Sequence, residues 1–124
     1  MEMDKPPSLK PLKWVGSSKR DLLSLPAPVM DFFGFALYLA QDGRKHVQAK
    51  PLSGFGSAGV LEVVEDWARS TYRAVYTVRF EGAVFVMHIF QKKSKRGAAT
   101  PKADMDLIRE RLKVAEQIAK ELSR

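Results

Sequence analysis

The stretch YRAVYTVRFEGAVFVMHIFQKKSKR, residues 72–96, decides the reading of this chain: it reads as strands of alternating side chains on both sides of Glu81-Gly82. A two-residue connection containing glycine between them predicts a tight hairpin. Counting outward from that turn sets Val78 opposite Phe85, Tyr76 opposite Met87, Ala74 opposite Ile89 and Arg73 opposite Phe90. With a side-chain period of two, Tyr72, Ala74, Tyr76, Val78 and Phe80 share a core face with Ala83, Phe85, Met87 and Ile89. The other face gathers Arg73, Val75, Thr77 and Arg79 with Val84, Val86, His88, Phe90 and Lys92. Arg73 then has Phe90 across from it and His88 and Lys92 on its diagonals. A half-solvated sheet face has the same pattern, but here Lys92-Lys93-Ser94-Lys95-Arg96 continues directly from the strand. Cations anchored at the end of a strand can position a phosphodiester and offset charge that develops on it, which points to phosphate chemistry or phosphate binding.

Upstream, residues 60–66 alternate like a further strand, joined through residues 67–70. A turn centred on Ala68 and Arg69 sets Val64 opposite Arg73 and places Glu62 on the polar face. Before it, Gly54, Gly56 and Gly59 match the spacing of a dinucleotide fingerprint. That fingerprint requires a strand before it and a helix after it, and a strand follows instead, so residues 50–59 read as a loop. Residues 9–16 predict a first strand in which Pro11 suits an edge. Ser18 with Asp21 resembles the start of a short helix ended by Pro26 and Pro28. From Pro28, the spacing of Val29, Phe32, Phe33, Ala36 and Ala40 predicts a second helix ended by Gly43. Phe35, Tyr38 and Leu39 make its second side apolar, as in a helix wedged between sheet and neighbour; a docking surface for a protein partner is the alternative. Thr100-Pro101 predicts a last helix opened by a capping hydroxyl, with Ile108, Leu112, Ala115, Ile118, Ala119 and Leu122 as its apolar stripe.

Composition bounds these assignments. A chain of 124 residues supports one modest core, so residues 9–124 are expected to form one domain after a lead-in over residues 1–8. A net charge of +7 and a pI near 9.8 give a field that attracts polyanions. The absence of cysteine excludes disulfides, thiolate nucleophiles and cysteine-containing zinc sites. With two histidines, His46 and His88, no metal centre or other cofactor is expected. Residues 29–40 form the longest apolar run, well short of the roughly 20 needed to span a bilayer. A cytoplasmic protein with no membrane partner is the expectation.

Tyr72-Arg73 and Tyr76, the strand Val86-Met87-His88-Ile89-Phe90, its continuation Gln91-Lys92-Lys93-Ser94, and Thr100-Pro101 leading into a helix with Arg111-Leu112 together resemble the phage-derived, HigB-like branch of the RelE/ParE toxin superfamily. Lys50-Pro51-Leu52 and Glu62 also resemble that branch, although Val60-Leu61-Glu62-Val63 lacks the aromatic more often found before the glutamate and the arginine soon after. The resemblance covers roughly residues 9–119. It implies an α+β fold: a RelE-like twisted antiparallel sheet of about four strands, two N-terminal helices on one face and a C-terminal helix. It also implies the toxin of a type II toxin–antitoxin pair, a ribosome-dependent mRNA endonuclease in which a 2′-hydroxyl attacks the adjacent phosphate without a metal. Its partners would be mRNA, the ribosome and a cognate helix-turn-helix antitoxin. Such chemistry needs a base, cations for the phosphorane and an acid for the leaving oxygen. Arg73 matches the arginine held against the scissile phosphate, Lys92 and Lys93 are candidates for charge stabilisation or proton transfer, and Glu62 or His88 for the base. Lys50, Lys95 and Arg96 are the expected RNA-backbone contacts. The alternatives are a ParE-like gyrase inhibitor and a non-catalytic basic nucleic-acid-binding phage protein.

Overall fold

A computed structural model describes residues 9–56, 59–92 and 100–123. The elements run β1 (Leu12–Trp14), α1 (Ser18–Leu23), α2 (Ala27–Gln41), β2 (Lys50–Pro51), β3 (Val60–Trp67), β4 (Ser70–Thr77), β5 (Val84–Lys92) and α3 (Lys102–Leu122). They form a five-stranded sheet in the order β1-β5-β4-β3-β2. β1 runs parallel to β5 and every other pairing is antiparallel. The α+β class follows the expectation, but the sheet is mixed and has one strand more than the expected four. The addition is β2, where Lys50 pairs with Glu62 and Pro51 with Leu61, within a segment that reads as loop because proline and glycine dominate it.

Both faces of the sheet are covered. α2 lays Val29, Phe33, Ala36, Leu37 and Ala40 over Leu61, Val63, Tyr72, Ala74, Tyr76, Val84, Val86 and Ile89. On the opposite face α3 packs Ile108, with half-buried Met105 and Leu112, on Val60, Val75 and Met87, and Ala115 on Phe85. The face expected to be polar and open is therefore a second core. The outward side of α2 is not wedged as expected: Phe35 is 53% exposed and Tyr38 43%.

The hairpin register holds where strand geometry alone sets it and fails where the backbone departs from it. Arg73 pairs with Phe90 and Ala74 with Ile89, but beyond Val75↔His88 the next pair is Tyr76↔Val86. Met87 is the extra residue of a β-bulge. One inserted residue turns the rest of the strand over, so Phe85 and Met87 join the α3 side while Val84 and Val86 face α2, the reverse of the expectation. The expected two-residue turn is a six-residue connection over residues 78–83, since β4 ends at Thr77 and β5 begins at Val84. By contrast, β3 and β4 meet as expected, Val64 opposite Arg73, through a tight turn in which Ala68 and Arg69 both hold positive φ, 51° and 68°.

The helix starts also differ from the expectation. Ser18, wholly buried, does not cap α1; its hydroxyl donates to the Val86 carbonyl at 3.0 Å and ties the helix to β5. Thr100 does not cap α3, whose N-cap is Pro101, and its hydroxyl is turned to the sheet.

Candidate functional site

Cross-strand register brings the expected polar residues together. Lys50, Glu62, Val75 and His88 lie opposite one another in a row across β2, β3, β4 and β5. The next row holds Val64, Arg73 and Phe90, and the one beyond pairs Thr71 with Lys92. Arg73 thus has Glu62 and His88 on diagonals to one side and Lys92 on the other. Four ionisable side chains share one face of three adjacent strands: Glu62 8%, Arg73 4%, His88 7% and Lys92 7% exposed. Lys50 stands exposed at the edge of the same row.

This is not the open groove the sequence reading expects. Nη1 of Arg73 donates to Oε2 of Glu62 at 2.9 Å and to the Thr100 hydroxyl at 3.2 Å. Oδ1 of Asp104, on the first turn of α3, lies 2.7 Å from Nε2 of His88, whose ring stacks on Phe90 with 4.3 Å between centroids. Burial lowers the His88 pKa below its usual value, Asp104 partly offsets the shift, and the Arg111 charge adds to it. The imidazole is therefore neutral at pH 7, so its Nε2–H donates to the Asp104 carboxylate and Nδ1 keeps its lone pair. That Nδ1 is buried and has no hydrogen-bond partner among the described residues.

α3 is fixed over this face by a second arginine. Nη1 of Arg111 donates to the carbonyl of the bulged Met87 at 2.9 Å, and Nη2 reaches the Ser17 hydroxyl at 3.3 Å. Gly16 makes room for it: φ is +59°, and a Cβ there would lie 2.7 Å from the guanidinium. A β-bulge leaves its backbone out of the ladder, and Arg111 satisfies the carbonyl so exposed.

Of the residues singled out from sequence, Arg73, Lys92, Glu62 and His88 come together and Lys50 borders them. Lys93, Lys95 and Arg96 lie outside the described residues. Thr100, Asp104 and Arg111 were not anticipated as members of the site. Their signal is present, because Asp104, Ile108, Arg111 and Ala115 repeat at spacings of four, three and four, one face of a helix. Two polar members on an otherwise buried stripe call for partners on the sheet. Among the described residues no three His, Cys, Asp or Glu side chains group to hold a metal ion, and no helix is long and apolar enough to cross a membrane.

Fold and site define an α+β protein whose charged cluster is sandwiched between a mixed sheet and its C-terminal helix. Residues 20–113 match the model of the phage-derived Gp49-like family (DUF891), and the chain belongs to that family, which is associated with RelE/HigB-like toxins. Searches of curated proteins and of solved structures return no match to it.

Proposed function

We propose that the chain is the toxin of a type II toxin–antitoxin module and acts as a ribosome-dependent mRNA endonuclease. The reading is supported by one observation above all: Glu62, Arg73, His88 and Lys92 are buried together on one sheet face. Taking charges out of water costs several kcal/mol for each ion, roughly, and apolar residues of similar volume would stabilise a core at least as well. Buried, mutually coupled ionisable groups are also the usual material of active sites. Membership of a family associated with RelE/HigB-like toxins agrees with this.

In the proposed reaction the ribose 2′-hydroxyl gives its proton to the base and attacks the neighbouring phosphate, and the 5′-oxygen leaves with a proton from Lys92 or Lys93, with no metal. Arg73 and Lys92 offset the phosphorane charge, and Lys93 assists. The base is Glu62, which pairs with Arg73, or His88, whose pKa burial lowers. Lys50, Lys95 and Arg96 hold the RNA backbone. The partners are mRNA on the ribosome and a helix-turn-helix antitoxin, in the cytoplasm.

The test must separate chemistry from folding, because removing one member of a buried ion pair costs about 3–5 kcal/mol by stranding the other. Arg73→Met combined with Glu62→Gln removes both charges of the pair together. Expression of wild-type protein should arrest growth and leave cut translated transcripts, mapped by primer extension. The double variant, with its circular dichroism unchanged, should lose cleavage by about 10²-fold or more. A folded double variant that cuts as well as wild type removes the assignment. One observation favours a second reading, a basic nucleic-acid-binding module without catalysis: Arg73 is paired with Glu62 under α3, as a structural ion pair would be. RNA binding that survives in the double variant, with no cleavage by either protein, would select it.

A further inference from the structure

We infer that the first turns of α3 are an internal competitor for the sheet-face site, and that RNA engages Arg73 and His88 by displacing Thr100 and Asp104 from them. The inference rests on the function proposed above and concerns how that same site is regulated.

Thr100, just before the N-cap of α3, and Asp104, in its first turn, each occupy a donor of the cluster. The Thr100 hydroxyl accepts from Arg73 and the Asp104 carboxylate accepts from His88. A carboxylate oxygen at 2.7 Å from a ring N–H offers the same acceptor chemistry as a phosphate oxygen. While these contacts stand, a phosphodiester must compete with Thr100 at Nη1 of Arg73 and with Asp104 at Nε2 of His88. The competitor itself is more accessible than the groups it covers: the Asp104 side chain is 27% exposed, against 9% for His88 and 5% for Arg73.

The attachment of α3 is uneven along its length. Its fully buried residues, Ile108 and Ala115, begin only at the end of the second turn, and Arg111 clamps the Met87 carbonyl beyond it. Residues 102–107 contribute no fully buried side chain; Met105 and Leu107 are half-buried, and of the two Met105 packs on the sheet-side core. The first turns can therefore unwind from the sheet while the rest of the helix keeps its anchors. Such a segment belongs to the low-stability end of the molecule, where local opening is cheapest.

The experiment uses the full chain and a 2′-O-methyl RNA oligonucleotide, which carries phosphates but cannot be cut by 2′-hydroxyl attack. Hydrogen exchange on wild-type protein should show residues 102–107 losing protection when the oligonucleotide is added, with residues 108–122 unchanged. Thr100→Val with Asp104→Ala should bind it about tenfold more tightly by fluorescence anisotropy, the scale of one charge-assisted hydrogen bond. Adding Glu62→Gln and Arg73→Met should abolish that gain. The inference is overturned if wild-type protein binds with residues 102–107 as protected as before, if neither wild type nor the opened variant binds, or if the opened variant, folded by near-ultraviolet circular dichroism, binds no more tightly. Unwinding without cleavage of unmodified transcripts would remove the nuclease and leave the competitor. Arg73-dependent cleavage without unwinding would do the reverse.

Discussion

Tyr76 is wholly buried on the α2 side of the sheet, and its hydroxyl finds no hydrogen-bond partner among the described residues. Burial pushes its pKa up to about 12, so the group is a neutral donor left unsatisfied. Tyr76→Phe keeps the ring and removes the orphaned hydroxyl; it should raise stability by roughly 0.5–2 kcal/mol, read as a higher urea midpoint at unchanged slope. An unchanged or lower midpoint would mean that the hydroxyl is satisfied by water. The residues of the site were legible in sequence because a two-residue period suffices to bring Arg73, His88 and Lys92 to one face. Their burial was not legible, since alternation tells which residues share a face and nothing of what covers it. Asp104 shows the limit from the other side: an aspartate near a helix start reads as a dipole partner, and its reach to His88 depends on where that helix lies.

At the scale of elements, the bulge at Met87 and the arginine that answers it control how β5 meets α3. Arg111→Met retains much of the apolar stem while leaving the Met87 carbonyl without its donor. It should destabilise the protein by about 1–3 kcal/mol, measured by chemical denaturation, and speed amide exchange around residues 86–88. Loss of stability without faster exchange there would place the cost elsewhere on α3. Long periodic elements such as α2, α3 and the strands from Val60 onward could be read from their own residues. β2 could not, since two residues held by pairing to β3 carry no periodicity. The side-chain inversion past Met87 was equally hidden, because a single inserted residue has no composition of its own. The parallel placement of β1 is a matter of topology that local pattern does not encode.

Across the whole molecule, folding is tied to pH through His88. Asp104 and Arg111 of α3 and Asp21 of α1 face it, and burial, helped by the Arg111 charge, outweighs the two aspartates and lowers its pKa. The unfolded chain therefore takes up the proton first. Stability due to this group is full above about pH 6.5 and falls as the solution is acidified toward the lower folded-state value. Urea midpoints at pH 7.5, 6 and 5 should decline for wild-type protein, and the decline should be shallower in His88→Gln. Equal slopes in the two proteins would assign the acid sensitivity to carboxylates instead. The order of the strands has one further consequence. The three long strands lie inside the sheet, and the two borders are only three and two residues long, each with a proline at hand in Pro11 and Pro51. Each border strand covers only part of its long neighbour, Leu61 and Glu62 of β3 and Val84 to Val86 of β5, so a stray chain seeking a template would find it along residues 63–67 and 87–92, which have no strand beside them on that flank.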